Sequence, residues 1–217
     1  MAENQQDDIN QQLYSIADEL RGQANYALQH SKNPYHRERM ENVLIASARL
    51  LSIIDNRSPD DVIAEFKDHP EHFSPLLGAE AAVFKGNKLL LIKRHDDGLW
   101  AVPGGGIEIG DTLSGAALRE LKEEVGLDGS IIRLLGMFDS RFWGSQLKWH
   151  LLHVIFEVSA ETGTPTVTTE ATDWGYFSAD ELPELSPGHH LRVPFLFKLM
   201  DGSVKVPYYD GPDNQRR

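Results

Sequence analysis

Hydrophobic spacing changes along the chain near Pro75. Before this residue, apolar side chains recur every three or four positions, which predicts amphipathic helices. Asn33-Pro34 separates two such stripes, and the first consists of Ile9, Leu13, Ile16, Leu20, Ala24 and Ala27. Ser58-Pro59-Asp60-Asp61 has the capping serine, the proline and the acids of a third helix start. Two or three helices in roughly 70 residues bury little apolar surface by themselves. We therefore expect residues 1–74 to form a helical domain that packs on the rest of the chain, on a second copy, or on both.

After Pro75 the pattern is typical of strands. Apolar runs flank the turn Gly86-Asn87, which predicts a hairpin, and two more strands are expected later in the chain. The strongest helix signal runs from Thr112 to Val125, and two short helices are expected near the end. The predicted strands are 81–84, 89–92, 131–138 and 147–158, and the short helices are 179–185 and 193–200. We expect a catalytic domain over residues 75–207 and a polar, loosely ordered tail over 208–217.

Composition and charge exclude several classes of protein. The 217 residues are 41% hydrophobic and 25% charged, include no cysteine, and have a formal net charge of −12. Disulfides and thiolate zinc sites are therefore excluded, and nonspecific binding to nucleic acid is not expected. No apolar run is long enough for a membrane helix, and the polar start of the chain is unlike a signal peptide. We expect a cytoplasmic protein that would need a cation to bind a phosphate-bearing substrate.

Three carboxylates in the predicted helix indicate a metal site. Glu120, Glu123 and Glu124 have the spacing that places side chains on one face within a single turn. Such like charges repel each other, and a hard divalent cation such as Mg²⁺, which prefers carboxylate oxygens, would relieve the repulsion. A solvated acidic helix face is the alternative when this cluster is considered alone.

The residues before the helix extend the pattern. Gly105 is followed after five residues by Asp111, and after seven more by Arg119-Glu120-Leu121, Glu123-Glu124 and Gly126-Leu127 at single-residue spacings. This arrangement resembles the Nudix box, the signature of the Nudix hydrolase family. One position departs, because the family usually has Glu where this chain has Asp111. The resemblance implies that this acid supports the box by pairing with Arg119.

The resemblance implies a fold and a reaction. The expected fold is the Nudix α/β/α sandwich with a mixed sheet, an α+β architecture preceded here by the helical segment. The expected reaction is hydrolysis of a nucleoside diphosphate linked to another group X, which gives a nucleoside monophosphate and phosphorylated X. Mg²⁺ or Mn²⁺ would be held by Glu120, Glu124 and the carbonyl of Gly105. Glu123 would be a further ligand or a catalytic group.

Other site residues are less defined by the resemblance. The general base is either a box glutamate or a later acid, for which we prefer Glu170 to Asp173. Arg94 either contacts a phosphate or ribose or ends a strand at the surface. Aromatic residues are candidates for a wall against the nucleobase, although core packing is their alternative. We select Phe138 and Trp143 from the set that also includes Phe142 and Trp149, and we expect His153 to be structural.

The helical segment resembles that of a Nudix subgroup which includes CDP-choline pyrophosphatases and related nucleoside diphosphate-X hydrolases. It implies a homodimer in which the helices border the substrate site. CDP-choline, ADP-ribose and nucleotide sugars are all candidate substrates, since they share the diphosphate. The alternatives are a Nudix-fold regulator that senses nucleotides without hydrolysing them, and a helical adaptor.

Overall fold

The structure, a computed structural model, describes residues 2–68, 74–108, 110–146, 150–160 and 163–212. Its described residues form two compact units. The first comprises the residues up to Pro75 together with His150, and the second comprises the others from Leu76 onward. No helix in the described ranges combines the length and hydropathy that crossing a bilayer requires.

The first unit contains three helices, as predicted. They are α1 (Ala2–His30), α2 (Pro34–Asp55) and α3 (Pro59–Asp68). The break between α1 and α2 has a local cause, because the side chain of Asn33 accepts hydrogen bonds from the backbone N–H groups of Tyr35 and His36 at 3.0 and 3.3 Å. Pro34 follows as the first helical residue, where its missing N–H has no cost.

The core of this unit differs partly from the predicted stripe. Ala17 and Ala24 have no exposed surface, whereas Ile9 and Ile16 are 43% and 48% exposed. Small residues on α1 face α2, and the buried Ser47 hydroxyl donates to the Ala17 carbonyl at 2.7 Å. Alanine at such a contact lets two helices approach closely, which explains why the buried face is rotated away from the isoleucines. The buried core residues are Ala17, Ala48, Leu51, Val62 and Phe66.

The second unit is built on a mixed sheet. The strands follow the order β3-β2-β1-β6-β5-β8, with β4 paired to β1 and β7 paired to β2. The β1–β6 and β5–β8 pairs are parallel and the others are antiparallel. The strands are β1 (Leu76–Lys85), β2 (Lys88–Arg94), β3 (Trp100–Ala101), β4 (Gly104–Gly106), β5 (Gly129–Asp139), β6 (Leu151–Ala160), β7 (Ala171–Phe177) and β8 (Tyr208–Tyr209).

Helices cover both faces of this sheet. Alternate side chains of β1 point to opposite faces: Ala79, Ala81 and Val83 join the core beneath α4 (Leu113–Val125), whereas Ala82 joins the core beneath α5 (His189–Met200). Burial on both faces explains the nearly continuous apolar run of β1. The predicted α/β/α sandwich with a mixed sheet is therefore confirmed.

Three local predictions differ from the structure. Residues 179–185 form turns and extended chain instead of a helix, because Pro183 cannot donate a helical hydrogen bond and restricts the residue before it. Tyr208 and Tyr209, which we placed in a loose tail, form β8 beside Gly136 and Met137. The helix predicted from Val193 already begins at His189. The predicted start of a strand at 147–149 and residues 213–217 lie outside the described residues.

Candidate active site

The helix α4 presents two glutamates toward the sheet. The Thr112 hydroxyl caps its first turn by accepting from the Gly115 N–H at 3.1 Å, and Gly126 ends it in the left-handed conformation with φ of 70°. Ala117, Leu121 and Val125 on this helix are buried in the core. Glu120 and Glu124, one turn apart, are only 8% and 9% exposed. The helix therefore holds two carboxylates at the edge of the core.

A third carboxylate joins them from another segment. Glu120, Glu124 and Glu170 each offer an oxygen atom within 4.8 Å of the others. Glu170 is exposed and lies in the loop that leads into β7. These three side chains are called the carboxylate cluster. Asp173, the alternative general base, is exposed on β7 and is not part of the cluster.

Arg119 pairs with Glu120 of the cluster at 2.8 Å, which balances only part of the negative charge. Burial, together with the negative charges of Glu120 and Glu170, raises the pKa of Glu124 to about 8, although the Gly104 N–H bond opposes this. Burial also raises the pKa of Glu120, and Glu123 and Glu170 add to that effect while Arg119 opposes it. A divalent cation fits such a site, because it supplies the missing charge to oxygen ligands.

The glycine run lets the backbone pass close to these carboxylates. The Gly104 N–H donates to Glu124 at 2.8 Å, and β4 pairs with β1 so that Gly104 lies opposite Glu80. A Cβ atom on Gly104 would lie 2.5 Å from the Ala79 carbonyl oxygen, and one on Gly105 would lie 2.7 Å from a carboxylate oxygen of Glu120. Gly106, by contrast, has open space at its Cβ position.

Arg119 connects the loop to the helix. Its guanidinium donates to Asp111 at 3.1 and 3.2 Å, to the Gly106 carbonyl at 3.0 Å, to Glu123 at 2.9 Å and to Glu120 at 2.8 Å. The shorter side chain of Asp111 thus still reaches Arg119. Glu123 faces this arginine with its side chain 49% exposed, and it is not among the grouped carboxylates.

A cavity of about 430 Å³ opens beside the carboxylate cluster. Arg94 contributes the cationic side chain to its wall, and Asp96 holds the guanidinium through bonds of 2.9 and 2.5 Å. The lining of the cavity includes Arg94, Gly104, Gly105, Glu124, Glu170 and His189.

The predicted aromatic wall is wrong. Phe138 has no exposed surface and lies in the core beneath α5, because it points inward from β5. Trp143 packs on Phe138 and Phe195, and its indole N–H donates to Asp210 at 3.1 Å. Neither ring lines the cavity beside the cluster. Trp149 lies outside the described residues.

Comparison with known proteins places this arrangement in a family. The model of the NUDIX domain matches residues 75–199, from the start of the sheet to α5. The chain belongs to the Nudix family. The *Bacillus subtilis* protein YjhB, which carries the name of an ADP-ribose pyrophosphatase, is 30% identical over 89% of this chain and 95% of its own. The ADP-ribose pyrophosphatase of *Methanocaldococcus jannaschii* is 30% identical over 64% of this chain and 82% of its own.

A solved structure agrees with the Nudix fold. A UDP-X diphosphatase aligns with a TM-score of 0.59 and 22% identity, covering 93% of this chain and 99% of that one. It supports the fold alone, because the identity is low. The family prediction is confirmed, and so is the prediction that the chain is a Nudix pyrophosphohydrolase.

The sequence did not point to a second group of charges behind the Nudix box. Glu80 on β1 accepts hydrogen bonds from Arg192 of α5 and from His153 of β6, both at 2.7 Å. Arg192 also lies 3.3 Å from His189, which lines the cavity. The sequence feature that could have indicated this group is a single acid within the apolar strand β1 together with a single arginine within the apolar helix α5. His153, expected to be structural, pairs with Glu80.

Proposed function

We propose that this Nudix protein hydrolyses the diphosphate linkage of a nucleoside diphosphate-X compound with ADP-ribose-like chemistry. The products are a nucleoside monophosphate and phosphorylated X. The observation that carries the proposal is the convergence of three carboxylates, of which Glu124 and Glu170 line an open cavity. The same wall carries Arg94, which supports a phosphate contact beside the proposed cation site.

Glu120, Glu124 and the Gly105 carbonyl would hold a divalent cation, for which Mg²⁺ is the first candidate and Mn²⁺ the second. The fit is supported by the clash that any side chain at Gly105 would make with Glu120, and by the raised pKa of Glu124. When bound, such an ion polarises phosphoryl oxygens and lowers the pKa of an attacking water. We assign Glu123 to the support of Arg119, since those two side chains are paired.

Two further side chains are assigned roles in the reaction. Glu170 is the exposed member of the carboxylate cluster, and we assign it the acceptance of the proton from the attacking water. Arg94 faces the same cavity and would bind a phosphate of the substrate. Asp96 keeps its guanidinium in one orientation, which favours bidentate contact with phosphate oxygens. Arg94 also offsets part of the repulsion from a chain with a net charge of −12.

The substrate proposal is supported by the names of the relatives from *B. subtilis* and *M. jannaschii*. CDP-choline and nucleotide sugars remain in the proposal as members of the same chemical class. We also propose a cytoplasmic homodimer formed through the helical unit, whose α1 exposes Ile9 and Ile16. A molar mass in solution that stays at one chain over a wide range of concentrations would contradict the dimer.

A substrate panel tests the proposed function. We expect the purified full chain with Mg²⁺ to convert ADP-ribose to AMP and ribose 5-phosphate, detected by mass spectrometry, and EDTA to abolish the conversion. CDP-choline and UDP-sugars serve as the other arms. Tight binding of ADP-ribose without cleavage of any compound would instead support the non-hydrolytic regulator, which the intact carboxylate cluster does not favour.

A further inference from the structure

The loop over residues 163–170 determines where Glu170 lies. Unlike Glu120 and Glu124, Glu170 is not carried by α4, so its distance from them depends on how this loop is attached. The described residues show that the attachment is to the last turn of α4 itself. This inference rests on the proposed function, since it concerns the same carboxylates.

The side chain of Thr168 makes three hydrogen bonds at this junction. Its hydroxyl donates to the Glu124 carbonyl at 3.0 Å and accepts from the Glu170 N–H at 3.2 Å and the Ala171 N–H at 3.4 Å. A hydroxyl has one donor and two acceptor positions, and all three are used here. One oxygen atom thus joins the backbone of Glu124 to the backbone of Glu170.

The bond from Thr168 lies at the carboxyl end of α4. The last carbonyl groups of a helix have no partner within it, and the loop satisfies two of them in α4. Thr168 binds the Glu124 carbonyl, while the Thr166 N–H donates to the Val125 carbonyl at 2.9 Å. At Val125 the main bond comes from the backbone, whereas at Glu124 it comes from a side chain. Substitution can therefore remove the second contact and leave the first.

We propose that Thr168 is a positioning residue of the active site. Its hydroxyl fixes the spacing between Glu124 and Glu170, and it acts on the reaction only through Glu170. Thr168 is not among the residues that line the cavity. Loss of the hydroxyl leaves the β4 loop and both glutamates of α4 in place, while Glu170 is released from the end of the helix.

Three variants isolate the hydroxyl. Thr168→Val removes it with little change in size or branching, and Thr168→Ser restores it without the methyl group. Thr166→Val is the matched control, because the Thr166 hydroxyl is 3.5 Å from its carbonyl partner and the N–H bond remains. We expect Thr168→Val to lower kcat about 10-fold with KM changed less than about 2-fold, since misplacement of a reacting group acts on turnover. Ser at 168 and Val at 166 should stay within about 2-fold of the wild type in kcat.

A double-mutant cycle tests whether Thr168 acts through Glu170. On a Glu170→Gln background, Thr168→Val should cause no further loss of kcat, because the group it positions is already disabled. Additive losses would overturn the proposal. An unchanged kcat in Thr168→Val would also overturn it, and so would equal losses in Thr168→Val and Thr168→Ser. Thermal unfolding accompanies each variant, since a purely structural residue would lower Tm and leave kcat unchanged.

Mn²⁺ binding, followed by electron paramagnetic resonance, separates this inference from the proposed function. Glu170 places a negative charge within 4.8 Å of the other two carboxylates, so its displacement should weaken Mn²⁺ binding several-fold whatever reaction follows. If the wild type binds Mn²⁺ but cleaves no diphosphate, the proposed function fails, and a weaker affinity in Thr168→Val alone still supports the positioning role. Equal Mn²⁺ affinity in all variants of such an inactive protein would overturn it.

Discussion

Glu80 and Glu124 are buried carboxylates of the same domain, and β4 separates them. Glu80 is 4% exposed and Glu124 is 9% exposed. Burial opposes the ionisation of both, yet the charges of Arg192 and His153 hold the pKa of Glu80 below its usual range. At Glu124 the neighbouring charges are mostly other carboxylates, and its pKa is raised to about 8.

The difference lies in where the positive charge comes from. Glu80 has its partners within the chain, because Arg192 and His153 link β1 to α5 and β6. Among the described residues, the Gly104 N–H and the charge of Arg94 stabilise the ionised form of Glu124, which lines a cavity from which a cation can enter. A buried acid with its own counter-charge serves the fold, whereas one among like charges at a cavity is suited to bind an ion.

The largest effect is expected on stability, from Arg192→Met. Removal of one partner from a buried ion pair leaves the other charge uncompensated, which costs about 3–5 kcal/mol in the free energy of unfolding. Arg133→Met is the matched control, because its pair with Glu157 lies at the surface with Arg133 43% exposed, and a cost below about 1 kcal/mol is expected there. Denaturant unfolding measures both. Equal losses of unfolding free energy in the two variants would contradict the distinction between the buried pair of Arg192 and the surface pair of Arg133.

In contrast to Arg192→Met, Glu124→Gln should lower activity without lowering the stability of the apo protein. The amide removes a charge needed for the cation, so we expect kcat to fall about 100-fold or more. The apo protein should be as stable as the wild type or more stable, since repulsion from Glu120 and Glu170 is relieved. Asp128→Asn, a change at an exposed acid that pairs with Lys122, should leave turnover near the wild-type value. Steady-state kinetics with ADP-ribose and thermal unfolding without metal provide the two readouts. A large loss of apo stability in Glu124→Gln would contradict the contrast.

A smaller loss of activity is expected from Gly105→Ala. The added methyl group would press on the carboxylate of Glu120, the flexible end of a side chain, so the fold should remain while the carboxylate moves. We expect kcat to fall about 10-fold, as displacement of a ligand by a fraction of an ångström would cause. Gly106→Ala, where nothing lies within 4 Å of the new atom, should be nearly silent. Similar kinetics for the two variants would contradict the assigned role of Gly105.

The pH dependence of metal binding gives the subtlest effect. The folded-state pKa of Glu124 is raised from 4.5 to about 8, so the folded apo protein retains a proton that the unfolded chain releases. Its contribution to stability is present at low pH and is lost as pH rises from about 4.5 through about 8. A cation must displace this proton, so Mn²⁺ affinity should rise by up to about 10-fold per pH unit between pH 6 and 8 and then level off. Glu124→Gln should flatten that slope, and an equal slope in both proteins would assign the proton to another group.

Local spacing made one half of the site predictable. The interval between Glu120 and Glu124 places both on one helix face, and the glycines before the helix indicated a close backbone approach. Glu123 shares nearly the same face, but only the structure shows that Arg119 pairs with it. Helical spacing alone does not distinguish the roles of Glu123 and Glu124, because the position of the Arg119 guanidinium also depends on its bonds to Asp111 and to the Gly106 carbonyl.

Long-range contacts account for what the sequence did not predict. The place of Glu170 depends on Thr168 binding to the end of α4, a contact between segments far apart in the chain. Phe138 was assigned to a nucleobase wall because an aromatic residue in a strand has two possible faces, and the face that β5 buries depends on α5. The network of Glu80 and Arg192 likewise requires knowledge of which strand and helix meet.

The most direct test of the account is a Mn²⁺ titration of the wild-type chain with ADP-ribose turnover measured in the same samples. We expect turnover to rise in proportion to the Mn²⁺ bound, and we expect the replacement of Glu120, Glu124 and Glu170 together by glutamine to abolish both while the protein stays folded. Undiminished turnover in EDTA, or full turnover in the triple variant, would contradict the central claim that Glu120 and Glu124 hold the ion used for hydrolysis beside Glu170.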